Sequence, residues 1–129
     1  MPDAPNIFPA LRYRDARAGI AWLERALGFD VVAVHDGENG AVAHAELGFG
    51  PGMIMLGSAG TGDTRFDRVV GSSAVYLVAD DVDGLFERAS AAEAKVVREL
   101  QDTDYGSREF TVEDPEGNTW SFGTYMPSR

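Results

Sequence analysis

The chain has 129 residues, near the usual size of one domain and enough to bury a single core. With 11 basic against 21 acidic residues its net charge is −10, which keeps the chain soluble, repels nucleic acid and anionic membranes, and favours a cationic ligand. The absence of cysteine excludes disulfides and thiolate metal sites, and no apolar run approaches the roughly 20 residues of a membrane span. Met1 to Asn6 lacks the basic start and apolar stretch of a secretory signal, so a cytoplasmic protein is expected.

Ile7 to Tyr13 reads as the first strand. Asp15 stands where a helix N-cap belongs, able to accept from free backbone N–H groups. Ile20, Leu23 and Leu27 follow at helical spacing, and Gly28 closes the helix in a left-handed turn. Trp22 stands one position off that apolar stripe, where a half-exposed indole would mark an interface or shield the helix end. Phe29 to His35 is a second strand, and Asp36-Gly37 and Asn39-Gly40 are hairpin signals. Ala41 to Leu47 and Met53 to Leu56 are further strands around a turn at Gly50-Pro51-Gly52. Ser58 to Gly71, polar and rich in Gly, Thr and Asp, reads as a linker. Ser73 to Ala79 is then a strand, and Asp81 caps a helix with Val82, Leu85, Phe86 and Ala89 on one face. Lys95 to Gln101, Arg108 to Glu113 and Thr119 to Tyr125 supply three more strands, the last pair joined by a turn at Asp114-Pro115-Glu116-Gly117-Asn118.

The second series repeats the first. Shifted by sixty-six positions without a gap, Leu11 falls on Leu77, Asp15 on Asp81, Val31 on Val97, Asp36 on Asp102 and Gly40 on Gly106. Few residues are identical, but the order of local structure repeats, with one mismatch: Gly28 has no counterpart, because Glu93 and Ala94 fill that turn. The expected fold is α+β: two tandem β-α-β-β-β modules, residues 7–57 and 73–125, joined by residues 58–72 in one domain. Neither module buries its sheet face and helix alone, so the two pack together within one chain or across a dimer.

Five segments carry a family likeness: Leu11-Arg12-Tyr13-Arg14-Asp15, Ala26-Leu27-Gly28-Phe29, His44-Ala45-Glu46-Leu47, Asp80-Asp81-Val82-Asp83, and Asp114 to Asn118. In that order, on that repeat, they resemble the glyoxalase, bleomycin-resistance and extradiol-dioxygenase superfamily, over Ile7 to Tyr125. The resemblance implies curved mixed sheets around a pocket, with helices outside, and commonly a homodimer. In the enzymes of that superfamily a divalent metal is held by His, Glu or Gln from the first and fourth strands of each module. Those places fall here on Phe8, Met55, Ala74 and Ser121. Two have no donor atom, a thioether is too soft for a hard cation and a serine hydroxyl is a poor ligand, so no metal and no cofactor is expected. The likeness then points to the metal-free, bleomycin-resistance-like branch.

Strand alternation sorts side chains by face. Ile54, Leu56, Val75, Leu77, Trp120 and Phe122 form an apolar set suited to packing under the helices. Phe8, Arg12, Met53, Met55, Ala74, Tyr76, Thr119 and Ser121 then face the cleft, an apolar wall with a few polar handles, although Phe8, Met53 and Met55 would equally fill a closed core. His44 and Glu46, two apart on one strand, suit a structural or dimer contact, an acid–base pair, or less readily a metal. His35 lies near a hairpin and is expected to be exposed. Tyr105, Arg108 and Glu109 are further candidates, Arg108 as a clamp for a ligand anion or as a partner for the many carboxylates.

The function expected is small-molecule binding without a metal, as in drug or metabolite sequestration. The ligand expected is a flat or aromatic cation, with Tyr76 stacking on it and Met53 and Met55 as adaptable walls; Arg12 argues the other way, toward an acidic metabolite, unless a carboxylate such as Glu109 neutralises it. The competing expectation is an enzyme of the same fold, a lyase, isomerase or dioxygenase using unorthodox metal ligands, or an acid–base catalyst using Glu46, His44 or Glu109. A pure interaction module fits the mixed polarity of the pocket less well.

Overall fold

A computed structural model describes residues 4–62 and 64–129. Met1 to Asp3, at the start of the segment read as lacking a signal, and Asp63 in the linker lie outside the described residues. The first half runs β1 (Ala10–Tyr13), α1 (Ala16–Leu27), β2 (Asp30–Asp36), β3 (Val42–Phe49) and β4 (Gly52–Ser58). The second runs β5 (Ala74–Val78), α2 (Val82–Ala91), β6 (Lys95–Asp102), β7 (Arg108–Glu113) and β8 (Thr119–Gly123). Each half forms one mixed sheet, in the order β1-β4-β3-β2 and β5-β8-β7-β6. In both, the first and fourth strands are parallel and the other neighbours antiparallel.

The repeat has a local cause at each helix. The Asp15 carboxylate accepts from the Ala18 N–H and the Asp81 carboxylate from the Gly84 N–H, so both helices start on the same cap. Gly28 ends α1 at φ 76, whereas after α2 the left-handed place is taken by Glu93 at φ 60, a costlier residue there. β1 is shorter than the apolar run predicts. Pro9 has no N–H to give, and only its carbonyl pairs, with the Met55 N–H at 2.9 Å, so Ile7 and Phe8 remain an exposed extended arm. The linker is not featureless either, since Phe66–Val69 forms a 3₁₀ turn beside β1.

One core spans both halves. The two helices lie against each other, and the inner faces of both sheets close on them. Phe29 packs on Phe49 at 5.3 Å and across the seam on Trp120 at 5.6 Å, while Phe49 meets Phe122 at 5.5 Å. Each such buried ring contributes about 2–3 kcal/mol. Trp22 is not half-exposed: at 6% exposure it belongs to this core, because the α1 stripe is wider than its Leu spacing suggests.

Polar groups stitch the same seam. The buried Asp114 carboxylate accepts from Tyr13 Oη at 2.6 Å, Asn118 Nδ2 at 3.0 Å and Trp120 Nε1 at 3.1 Å, and from the backbone N–H groups of Glu116 and Asn118. Glu116 accepts from the Arg14 and Asp15 N–H groups, and Arg88 donates to the last carbonyls of α1, Glu24 and Arg25.

Asp114→Ala strands three buried side-chain donors and is expected to cost at least about 3 kcal/mol, against about 1 kcal/mol for Tyr13→Phe, measured by calorimetry. Burial first, then the Asp114 charge, raises the Tyr13 phenol far above its usual value near 10. Its contribution is therefore complete below about pH 10 and lost above it, when the unfolded chain ionises first. The stability gap between wild type and Tyr13→Phe should shrink above pH 10.

Candidate functional site

The faces of the two sheets turned away from the helices carry most of the polar side chains of interest. On the second sheet, register places Tyr76 beside Ser121, Ser121 beside Thr111, and Glu109 between Gln101 and Gly123. Their alternates, Phe110, Val112, Trp120 and Phe122, point into the core and are fully buried. A cavity of about 460 Å³ opens on the outer face, lined by Ala74, Tyr76, Arg98, Tyr105, Glu109, Ser121 and Tyr125 among others, and every described residue lining it comes from the second half of the chain.

Glu109 is its electrostatic centre. The residue is 4% exposed, and its Oε1 accepts from Tyr105 Oη at 2.8 Å and Arg98 Nη2 at 3.1 Å. Burial pushes its carboxyl up, but the hydrogen bonds from Tyr105, Ser107 and Arg98 outweigh burial and hold it below the usual glutamate value. Tyr76 donates to the Tyr125 carbonyl at 2.7 Å, and burial raises its phenol. The Tyr105 and Tyr125 rings stand edge to face, 6.0 Å apart at 86°. Gly123 makes this approach possible: a Cβ there would lie 2.6 Å from Tyr76 Oη and 2.7 Å from Glu109 Cγ.

The first sheet offers an open face. Glu46 pairs in register with Met55, so Glu46 and His44 share the side of the sheet on which Met55 lies. His44 Nε2 lies 2.9 Å from Glu46 Oε2, and the His44 ring stacks near-parallel on the exposed His35 at 6.1 Å. Arg12 donates to the Ser58 carbonyl at 3.3 Å and sits over the Phe66 ring at 5.2 Å. Glu109 does not meet the condition of neutralising Arg12; it pairs with Arg98, on its own sheet. Arg108 binds Asp83 at 2.7 Å and Asp102 at 3.0 Å, which favours the carboxylate-partner alternative over the ligand clamp. Phe8, Arg12, Met53, Met55 and Thr119 are not among the residues lining the 460 Å³ cavity; Met53 instead borders, with Tyr76, a larger groove of about 790 Å³ that reaches both halves.

Arg98, Tyr125 and Gly123 are additions to the sequence-derived set. Arg98 lies between two register shifts in β6, where simple alternation fails; Tyr125 follows the end of β8; and a glycine shows its packing role only once its neighbours are placed.

A divalent metal does not fit the places the fold reserves for one. Phe8 and Ala74 have no donor, Met55 offers a thioether, and Ser121 Oγ lies 2.8 Å from Thr111 Oγ1 in a hydrogen bond of its own. Among the described residues no three His, Asp or Glu side chains gather so as to hold an ion.

Paired β-α-β-β-β modules, each with an open sheet face, define the class of fold. The chain belongs to the Glyoxalase/Bleomycin resistance protein/Dioxygenase superfamily, whose family model matches residues 8–122. It is 33% identical over 127 residues to an uncharacterised protein of Mycobacterium bovis, covering 92% of this chain and 82% of that one. TioX from Micromonospora sp. ML1 superposes with TM-score 0.80 at 28% identity, covering 95% of this chain and all of that one. A bleomycin-binding protein solved in complex with bleomycin superposes with TM-score 0.69 at 18% identity, over 95% and 100% of the two chains, a likeness of fold alone.

Tyr105→Phe and Arg98→Gln each remove a bond to the charged form of Glu109 and should raise its pKa, measured by carbon-detected NMR titration. An unchanged pKa in both variants would contradict the bonding described here.

Proposed function

We propose that the protein is a metal-independent small-molecule-binding protein acting as a homodimer, in which the outer face of β5–β8 holds an organic ligand and the outer face of β1–β4 of a second copy closes over it. The carrying observation is the 460 Å³ cavity, framed by tyrosines around a buried carboxylate and walled, among the described residues, from one half of the chain. A cavity with one wall leaves a ligand half in water, and a two-fold pairing supplies the missing wall twice. The first sheet has a suitable surface in Met53, Met55, His44 and Glu46, a mixture of adaptable apolar and polar groups. Non-ligand residues at Phe8, Met55, Ala74 and Ser121 support binding over metal chemistry, and the bleomycin complex of a protein of this fold supports an organic ligand. Sequestration of a drug or metabolite is the role this fits, in a cytoplasmic protein; no described helix is long and apolar enough to cross a membrane.

A second reading, an enzyme of the same fold, is favoured by the His44–Glu46 pair, which has the geometry of an acid–base dyad.

Light scattering should give twice 13.9 kDa at micromolar concentration, and elemental analysis less than about 0.1 metal per chain. Thermal-shift screening of drugs and metabolites should find organic ligands that stabilise the protein, by about 2.7 kcal/mol at a hundredfold excess over Kd, with chelator present or absent. A stable monomer would contradict the paired site, and one tightly held metal per chain would revive the lyase or dioxygenase reading.

A further inference from the structure

We propose that Tyr76, Tyr105 and Tyr125, with Glu109 among them, form a cage for an alkylated ammonium group, and that Arg98 is the resident cation this group displaces. The inference rests on the small-molecule reading above and names the charged end of the ligand.

The three phenols line one cavity while 37%, 59% and 49% exposed, so they are open to a ligand. Two of their hydroxyls are already engaged by the protein, Tyr76 with the Tyr125 carbonyl and Tyr105 with Glu109, which pins the rings. The right angle between Tyr105 and Tyr125 makes two walls of a box. Hydrogen bonding of the Tyr105 hydroxyl to a carboxylate also pushes electron density into its ring, which strengthens attraction for a cation.

Glu109 supplies the charge. It is buried yet held ionised, so it requires a positive partner, and the partner present is Arg98. That guanidinium is 46% exposed and hangs from the irregular stretch of β6, so its release into water costs little. An arriving cation leaves the pair balanced by exchange. Alkylation matters because a bare ammonium is strongly hydrated, whereas a methylated one gives up water readily and presents carbon to the rings. An anion in the same place would meet the Glu109 carboxylate and the negative ring faces. The net charge of −10 adds long-range attraction of the right sign.

The test is an amide NMR titration of the full-length protein with choline, with its neutral isostere 3,3-dimethylbutan-1-ol, and with acetate. Choline should perturb the amides of Tyr76, Tyr105, Gly123 and Tyr125, at least about tenfold more tightly than the alcohol. Glu109→Gln should weaken choline about tenfold or more, Arg98→Gln should strengthen it at least about threefold, and Gly123→Ala, which drives Tyr76 from Glu109, should abolish it. Tyr125→Leu, at a half-exposed position, should also weaken it and keeps the test decisive where Glu109→Gln fails to fold. Equal binding of the alcohol, or acetate binding lost in Arg98→Gln, overturns the cage while leaving a small-molecule site in place. Silence of these amides toward all three probes overturns the cage, while the binding reading itself rests on the thermal-shift screen.

Discussion

The Asp114 carboxylate is the constraint on which the rest of the molecule depends. It stands in the turn before β8, yet it gathers the phenol of β1, the indole of β8 and the turn backbone into one buried knot. Hydrophobic contact alone would hold the halves together without fixing their angle, because the Phe29, Phe49, Trp120 and Phe122 rings tolerate sliding. Directional bonds to a buried charge do not. With Glu116 on the start of α1 and Arg88 on its end, the seam is pinned at both ends of one helix. The inner faces are consumed in this union, and the outer faces are left open.

Among the described residues two carboxylates are nearly buried, in contrasting settings. Asp114 is surrounded by neutral donors from the protein interior and has no exposed partner. Glu109 shares one oxygen between an exposed tyrosine and an exposed arginine at the edge of a cavity. A closed knot of this kind serves folding, whereas bonds with one foot in solvent can be exchanged for bonds to a ligand. That difference, rather than burial itself, singles out the outer face of the second sheet.

The tandem architecture was legible because each module writes its own punctuation: an aspartate cap, a helical stripe, and turn residues at fixed intervals. The caps at Asp15 and Asp81 appear where the repeat puts them. Edges were less legible. Pro9 cuts β1 short through its missing N–H, and Trp22 sinks into a core wider than the leucine spacing implies. Alternation along regular strands puts Tyr76 and Ser121 on one face, and the sheet register sets them side by side; Glu109 stands out from its sequence neighbourhood. Arg98 escaped because register shifts break alternation in β6, and Gly123 because its role is a distance between two other residues. Partner choice was also beyond the sequence: Glu109 and Arg12 look equally able to pair until the two sheets are placed.

On the proposed reading, the outer face of β5–β8 is half of a binding site completed by a second copy. A crystal structure of the protein soaked with benzyltrimethylammonium tests it most directly. The ligand should lie in density among Tyr76, Tyr105 and Tyr125, with Arg98 withdrawn from Glu109 and the outer face of β1–β4 of a two-fold-related copy across the cavity. A ligand lodged elsewhere with that face open to solvent, or a metal bound between the first and fourth strands, would contradict it.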